Sequence, residues 1–596
     1  GEEVALLGQL VGDEDSGGRL DHGADLGSVN GSVIAYLCGQ TDMDSVKLGL
    51  NFERFMNPER VSLADIDVDS YSVNQQWIQK WMLTTDKFHS ASILTTNTYG
   101  LKGAIKAIAD GLPRYAGKPQ YIQSIRNQID ADGTIPQALY DEHKELIDMA
   151  KDIVGVTDSF GRHAAGIVVD TTPIDNTMGT MTISNWDYPV SQIAMKEIEY
   201  CAWVKFDMLG LDNVGLINKT AELAGIPYPT PNSDFIDFND EKVWKSMRES
   251  NIGIFQFEGD RAGKILKQVF SDETVAKIKK KVPNYQYIDL LSLANAAQRP
   301  SGASYIDAIM NGEFKDNGHK ALNEFLAPTL GFMVYQEQQI QFLVQFCGYT
   351  AGQADILRRA IGHKQKDVME KELPKVHQSF VKTMVEKYGD SQEHAERIAE
   401  DFMQVFIDSA NYGFSVNHSM AYSYIGYIAT WLRYYYPLEF CTAAFEVWKD
   451  KKDKINKITK FAKEHGIQLK PVKFGKSKGL YYMDKNTNTI YEGTASIKGC
   501  NAKVGDLLYE YGQKTYDSFT DMLIDLYENK IYTLDGNKYS VLDIYNRYSA
   551  SDIKEIDKNI KTKPNRFSCE QFKEKTSINF KNMLNLIMLR YFAEYR

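Results

Sequence analysis

The sequence predicts a chain of mixed class, an α/β region followed by a mostly α one, and three observations carry that prediction. Its 596 residues are more than one hydrophobic core organises, so several domains are expected. The segment Leu63-Ala64-Asp65-Ile66-Asp67-Val68-Asp69 alternates acidic and aliphatic residues with the period of a strand. From about residue 211 to 460 the pattern becomes helical.

Composition narrows the class. The chain is 43% hydrophobic and 25% charged, ordinary for a globular protein, and its net charge of -11 argues against non-specific nucleic-acid binding by the molecule as a whole. Basic residues nevertheless cluster at Lys277–Lys281, around Arg358, Arg359, His363, Lys364 and Lys366, and from Lys449 to Lys460. Such runs are solvated faces unless their neighbours supply a ligand. The six cysteines (Cys38, Cys201, Cys347, Cys441, Cys500, Cys569) include no Cys-x-x-Cys pair, which fits a reducing compartment without structural zinc. Neither a membrane-spanning apolar run nor a signal sequence is visible. The chain opens at Gly1 rather than Met, as a processed piece or a fragment would.

On the acidic strand, Asp65, Asp67 and Asp69 share one face while Ile66 and Val68 point into a core. Three carboxylates on one face repel unless cations sit among them, and hard divalent ions take carboxylate oxygens while leaving positions for phosphate. Two such ions about 3.5–4 Å apart hold both oxygens of a phosphoryl displacement. A solvated edge strand with its acids turned outward fits the same pattern, and this segment alone leaves both readings open.

Upstream, Gly27-Ser28-Val29-Asn30-Gly31-Ser32 leads into an apolar helix start at Val33–Leu37. A Gly/Ser turn opening a helix offers backbone N–H groups to phosphate, though such turns serve more often as plain connectors. Residues 97–164 read as mostly helical, with Gly103–Ala109 and Glu145–Ile153 as clear stretches and Arg114, Lys118 and Arg126 as scattered cations. His163 stands in an apolar strand and is expected as a core residue, outside the catalytic set. In Trp203-Val204-Lys205-Phe206-Asp207, alternation puts Lys205 and Asp207 on one face and Val204 and Phe206 behind. The helix around Asp355–Ala360 sets Ile356, Ala360 and Ile361 on one side and leaves Arg358 and Arg359 exposed. A long helix starting near Ser419 carries Trp431 and Tyr434–Tyr436.

These segments, with Phe52-Glu53-Arg54-Phe55-Met56-Asn57-Pro58-Glu59-Arg60, Arg162-His163-Ala164-Ala165-Gly166-Ile167-Val168-Val169, Lys205-Phe206-Asp207-Met208-Leu209-Gly210-Leu211, Gly253–Glu258, Arg299-Pro300, Val334–Gln338, Ala354–Ala360 and Tyr412–Ser419, resemble in order the bacterial replicative DNA polymerase III alpha subunits of family C. The likeness runs from Gly27 to Gly499. It implies a DNA polymerase beta-like nucleotidyltransferase palm (1–96 and 165–210), a helical thumb (97–164), large helical fingers (211–462) and a helix-hairpin-helix duplex-binding region (463–530). Residues 531–596 are expected as a helical segment of unknown role.

The implied activity is template-directed addition of dNTPs to a primer 3′-hydroxyl by two-metal-ion phosphoryl transfer in replication. The implied metal ligands are Asp65, Asp67 and Asp207, holding two Mg²⁺ ions, with Asp69 spare. Gly27, Ser28, Lys205, Arg358, Arg359, Tyr412, Phe414 and His418 are the implied nucleotide-binding residues, Tyr412, Phe414 and His418 meeting base and sugar. Lys498, Gly499 and Asn501 form the implied duplex-binding hairpin. The expected partners are primer–template DNA, dNTPs and a sliding clamp or other replisome proteins, with no membrane, in the bacterial cytoplasm or as a phage-encoded protein there.

The chain also departs from the family pattern. Asp25-Leu26 stands where Gly-Arg is usual, beside the expected triphosphate; Ala64, Ser70, Asn417 and Asn501 replace Pro, Phe, Ser and Gly. The left-handed tolerance of Asn is expected to preserve the turn at Asn501. The family's N-terminal metallophosphatase-like domain is not recognised, nor an oligonucleotide-binding domain, a proofreading exonuclease or a clamp-binding peptide. Two alternatives therefore stand beside the polymerase: a catalytically impaired DNA-binding subunit or fragment that needs a missing segment, and a metal-dependent nuclease, which leaves Lys205, Arg358, Arg359 and the 412–418 segment unexplained.

Overall fold

Alternation along two short strands sets the architecture. Val68 on β1 (Ile66–Ser70) and Phe206 and Met208 on β6 (Val204–Gly210) are buried together, and the helix Ser72–Thr84 covers them with Ile78 and Met82. The acids that alternate with these residues therefore lie on the opposite face. The computed structural model describes residues 30–39, 41–48, 66–130, 133–527, 530–571, 578 and 580–593. Asp65, Gly27 and Ser28 lie outside them.

The remaining strands of this sheet are β2 (His89–Thr98), β3 (Thr157–Asp170), β4 (Thr180–Ile183) and β5 (Trp186–Ala194). The order is β1-β6-β3-β2-β5-β4. β1 pairs with β6 and β2 with β5 in parallel; the other neighbours are antiparallel. On the ladder Asp67 stands directly opposite Asp207, and Gly166 flanks Asp207 from the other side. The β2–β3 pairing jumps from Ser92–Ile167 to Leu94–Arg162, so residues 163–166 bulge out of register. Bulges re-aim side chains, and this one lies beside the acids.

Two helical layers belong to the same unit, which comprises residues 1–215, 230–251 and 255–427. Helices Leu101–Gly111, Pro119–Asn127, Gln137–Glu142 and Lys144–Asp152 bury Ile105, Ile122 and Leu146 between them. The expected helical character of 97–164 thus ends at Asp152, and from Thr157 the chain is already β3. Helices Gln336–Cys347, Ala351–Gly362, Lys366–Glu386 and Gln392–Tyr412 close on a phenylalanine core of Phe342, Phe346, Phe380, Phe402 and Phe406. The last long helix starts at Val416, three residues before the expected Ser419.

The second unit comprises residues 216–229, 252–254 and 428–596. It holds a small sheet in the order β7-β9-β8 (β7 Gln468–Lys470, β8 Tyr482–Asp484, β9 Thr489–Tyr491) and a core around Val504, Leu508, Met522 and Leu586. The segment expected as helical after 531 also carries a second sheet of β10 (Lys530–Leu534), β11 (Asn537–Ser540) and β12 (Phe567–Gln571), in the order β11-β10-β12. Among the described residues no helix is long and apolar enough to cross a membrane.

Candidate nucleotidyl-transfer site

The acid face of the sheet is assembled by strand pairing. Asp207 is 8% exposed, and its two oxygens differ. Oδ2 accepts from Lys205 Nζ at 3.0 Å, and Lys205 also lies 3.5 Å from Glu199. Oδ1 is buried and has no hydrogen-bond partner among the described residues. His163 Nδ1 stands 3.5 Å from it, but that nitrogen already accepts the Gly166 N–H at 2.7 Å and so has no proton to donate. A buried carboxylate oxygen facing only another acceptor is costly unless a cation joins it. With Asp67 across the ladder, these oxygens suit a hard divalent ion. Among the described residues no three His, Cys, Asp or Glu side chains gather into a metal-sized cluster.

Gly166 is required here. A Cβ would meet His163 Nδ1 at 2.8 Å and Asp207 Oδ1 at 3.1 Å. His163 was expected in a core; it is instead half-buried on the bulge beside Asp207. Its own sequence carries no sign of this, because a bulge is a property of two strands together.

Asp69 also has a place. It is 3% exposed, and Tyr422 donates to its Oδ2 at 3.2 Å. The Tyr422 ring meets the His418 ring edge-on at 4.2 Å, and His418 meets Phe414 edge-on at 5.2 Å. β1 is thereby joined to the segment that carries Phe414 and His418. His418 is the third residue of the helix Val416–Tyr435, whose N-terminus is held by Glu337: its carboxylate accepts from the Val416 N–H and from Ser415 Oγ, both at 2.9 Å. Phe414 forms a parallel bridge with Tyr335, and Arg299 lies 4.3 Å from its ring centre. Tyr412 ends the preceding helix, and its side chain is outside the described residues.

The arginine pair departs from expectation. Ala360 and Ile361 are buried as expected, but Ile356 is 43% exposed and Arg358 only 6% exposed, so one arginine takes a place on the buried side that an apolar residue was expected to fill. The cause is Asp355, which is fully buried: Oδ1 takes Arg358 Nε at 3.0 Å and Nη2 at 2.8 Å, and Oδ2 takes Arg359 Nε at 2.8 Å. Burial pushes the Asp355 carboxyl up, but the two guanidiniums outweigh it and hold its pKa below the usual value. Arg359 is the more accessible of the two.

In the second unit, Gly499 has φ +90°, which favours glycine, and Lys498 is exposed. Asn501 is extended rather than left-handed (φ −106°, ψ 169°), and its side chain caps the helix Ala502–Tyr511 by accepting from Val504 N–H at 3.0 Å. Only a 3₁₀ turn, Thr494–Ser496, precedes this hairpin where a first helix was expected.

Comparison with known proteins gives the class. The model of the bacterial DNA polymerase III alpha NTPase domain matches residues 18–210, and that of the bacterial DNA polymerase III alpha subunit finger domain matches residues 215–387. The chain belongs to the bacterial DNA polymerase III alpha family. It is 30% identical over 502 residues to the DNA polymerase III subunit alpha of Escherichia coli (strain K12), covering 79% of this chain and 41% of that protein. It is 29% identical over 526 residues to the subunit of the same name from Ureaplasma parvum, covering 83% and 51%. The Vibrio cholerae protein of that name is 30% identical over 506 residues, covering 79% and 41%. The chain thus spans about half, or less, of the length of these curated relatives.

Proposed function

We propose that the chain is a template-directed DNA polymerase that adds dNTPs to a primer 3′-hydroxyl during replication in the bacterial cytoplasm. The observation that carries the reading is the open, buried Oδ1 of Asp207 on a ladder opposite Asp67. Asp65, Asp67 and Asp207 would hold two divalent ions, Mg²⁺ by the hardness of their oxygens. When bound, such ions lower the charge and proton barriers of phosphoryl transfer.

The protein's own groups do the positioning. Lys205, already on the acid face, offers its ammonium to triphosphate oxygens, with Arg359 and Arg358 and the backbone N–H groups at Gly27 and Ser28 as further donors. Tyr412, Phe414 and His418 line the base and sugar. Residues 1–96 and 165–210 act as palm, 97–164 as thumb and 211–462 as fingers. The turn through Lys498, Gly499 and Asn501, within the proposed duplex-binding region 463–530, meets duplex phosphates through backbone N–H groups. A sliding clamp or other replisome protein is the expected companion.

The test is primer extension by the purified chain on a primed template with Mg²⁺ and four dNTPs. Extension supports the reading. Template binding without extension favours the catalytically impaired subunit, and Mg²⁺-dependent shortening of end-labelled DNA without dNTPs favours the nuclease.

A further inference from the structure

The bulge beside Asp207 is braced by Arg162, and that arginine has donors to spare. Its Nη1 donates to the carbonyls of His163 at 3.2 Å and Ala164 at 3.4 Å, and its guanidinium carbon lies 3.7 Å from the Trp186 ring centre. Trp186 meets Tyr188 edge-on at 5.2 Å, and Phe160, two residues before Arg162 on β3, is 56% exposed. Among the described residues no carboxylate pairs with Arg162, and Nε and Nη2 have no protein partner. Partial burial pulls the guanidinium pKa down, the mark of a cation drawn from water without a counter-charge.

We propose that Arg162, backed by Trp186, binds a backbone phosphate of DNA beside the candidate catalytic acids, with Phe160 and Tyr188 offering ring surface to the neighbouring nucleotides. The planar fork of an arginine suits phosphate oxygens, and a guanidinium stacked on indole loses little freedom when it engages them. Exposed rings beside a cation are the ordinary makings of a strand-binding surface, since every base has a face to stack. The inference rests on the nucleic-acid half of the polymerase reading. It is tested by DNA binding without nucleotides, so it and the catalytic reading fail separately.

The experiment compares wild type, Arg162→Gln, Arg162→Lys and Trp186→Leu, measuring primer–template affinity by fluorescence anisotropy across a salt series. Gln keeps a donor for the bulge carbonyls and removes the charge; Lys keeps the charge. Arg162→Gln is expected to bind several-fold more weakly at low salt and to lower the slope of log K against log salt by roughly 0.9, the share of one duplex phosphate. Arg162→Lys is expected to keep the wild-type slope, and Trp186→Leu to weaken binding with the slope intact. A wild-type slope in Arg162→Gln overturns the proposal and leaves Arg162 as a brace of the bulge. A raised KM for dNTP as the sole defect also overturns it, by giving the phosphate to the incoming nucleotide.

Discussion

Two buried aspartates of one unit, Asp355 on a helix and Asp207 on a strand, are partnered in opposite ways. Asp355 has both oxygens occupied by guanidiniums, so it is a closed brace between Arg358 and Arg359. Asp207 has one oxygen on Lys205 and the other facing the lone pair of His163. Burial alone therefore does not mark a reactive acid. What separates the two is unsatisfied hydrogen-bonding capacity, which a structural acid closes and a ligand-binding acid keeps.

The comparison is most exposed at Asp207. Asp207→Asn is expected to lower nucleotide addition roughly a thousandfold while duplex affinity stays nearly unchanged, measured by single-turnover extension and anisotropy. Equal loss from Asp355→Asn without loss of stability would erase the distinction. Asp355→Asn is instead expected to cost about 3 kcal/mol of stability in urea unfolding, because it strands buried guanidinium charge. The sign with pH follows from the lowered pKa of Asp355. Its contribution is complete above the unfolded value of about 3.9 and is lost as pH falls through the lower folded value. The stability gap between wild type and variant should be flat from neutral pH to about 5 and close in stronger acid.

Within the brace, Arg358→Ala is expected to lose about 2 kcal/mol, and Arg359→Ala less, since Arg359 is partly in water. On the polymerase reading Arg359→Ala raises the KM for dNTP, which urea unfolding and steady-state kinetics separate. For the segment joined to β1, His418→Ala is expected to lower the ratio of kcat/KM for dNTP over rNTP about tenfold. A uniform fall for both nucleotides would make His418 a packing residue. The smallest effect concerns an exposed helix cap: Asn501→Ala removes it and should cost about 1 kcal/mol in thermal unfolding, with the helical signal otherwise retained.

What could be read from the sequence was what is local. Strand alternation placed Lys205 and Asp207 on one face and Phe206 in the core, as the structure has them. Helix periodicity located a helix at 355–360, inside the observed Ala351–Gly362, and buried Ala360 and Ile361 correctly, but it misplaced Ile356 and Arg358, since it registers apolar spacing and not an acid waiting at Asp355 for two arginines. The position of His163 depends on the pairing of β3 with β2, and the tie between Asp69 and Tyr422 joins residues far apart in the chain. The strands after 530 are four or five residues long and polar, too brief for a period to stand out. The family pattern of Gly at position 501 suggested a left-handed turn, whereas the Asn found there serves as a cap.

The order of strands across the main sheet has a consequence for how the molecule comes into being. β6 is the last of its six strands in the chain, yet it lies between β1 and β3. During synthesis the edge of β3 stays uncovered and β1 lacks its described neighbour until Val204–Gly210 has emerged. Asp67 and Asp207 therefore meet only at the closing step of sheet assembly, after the helices between residues 101 and 152 have had time to form from their local contacts. A nascent chain halted before β6 carries half of the acid pair and none of its geometry, so the pair exists only once the sheet is complete.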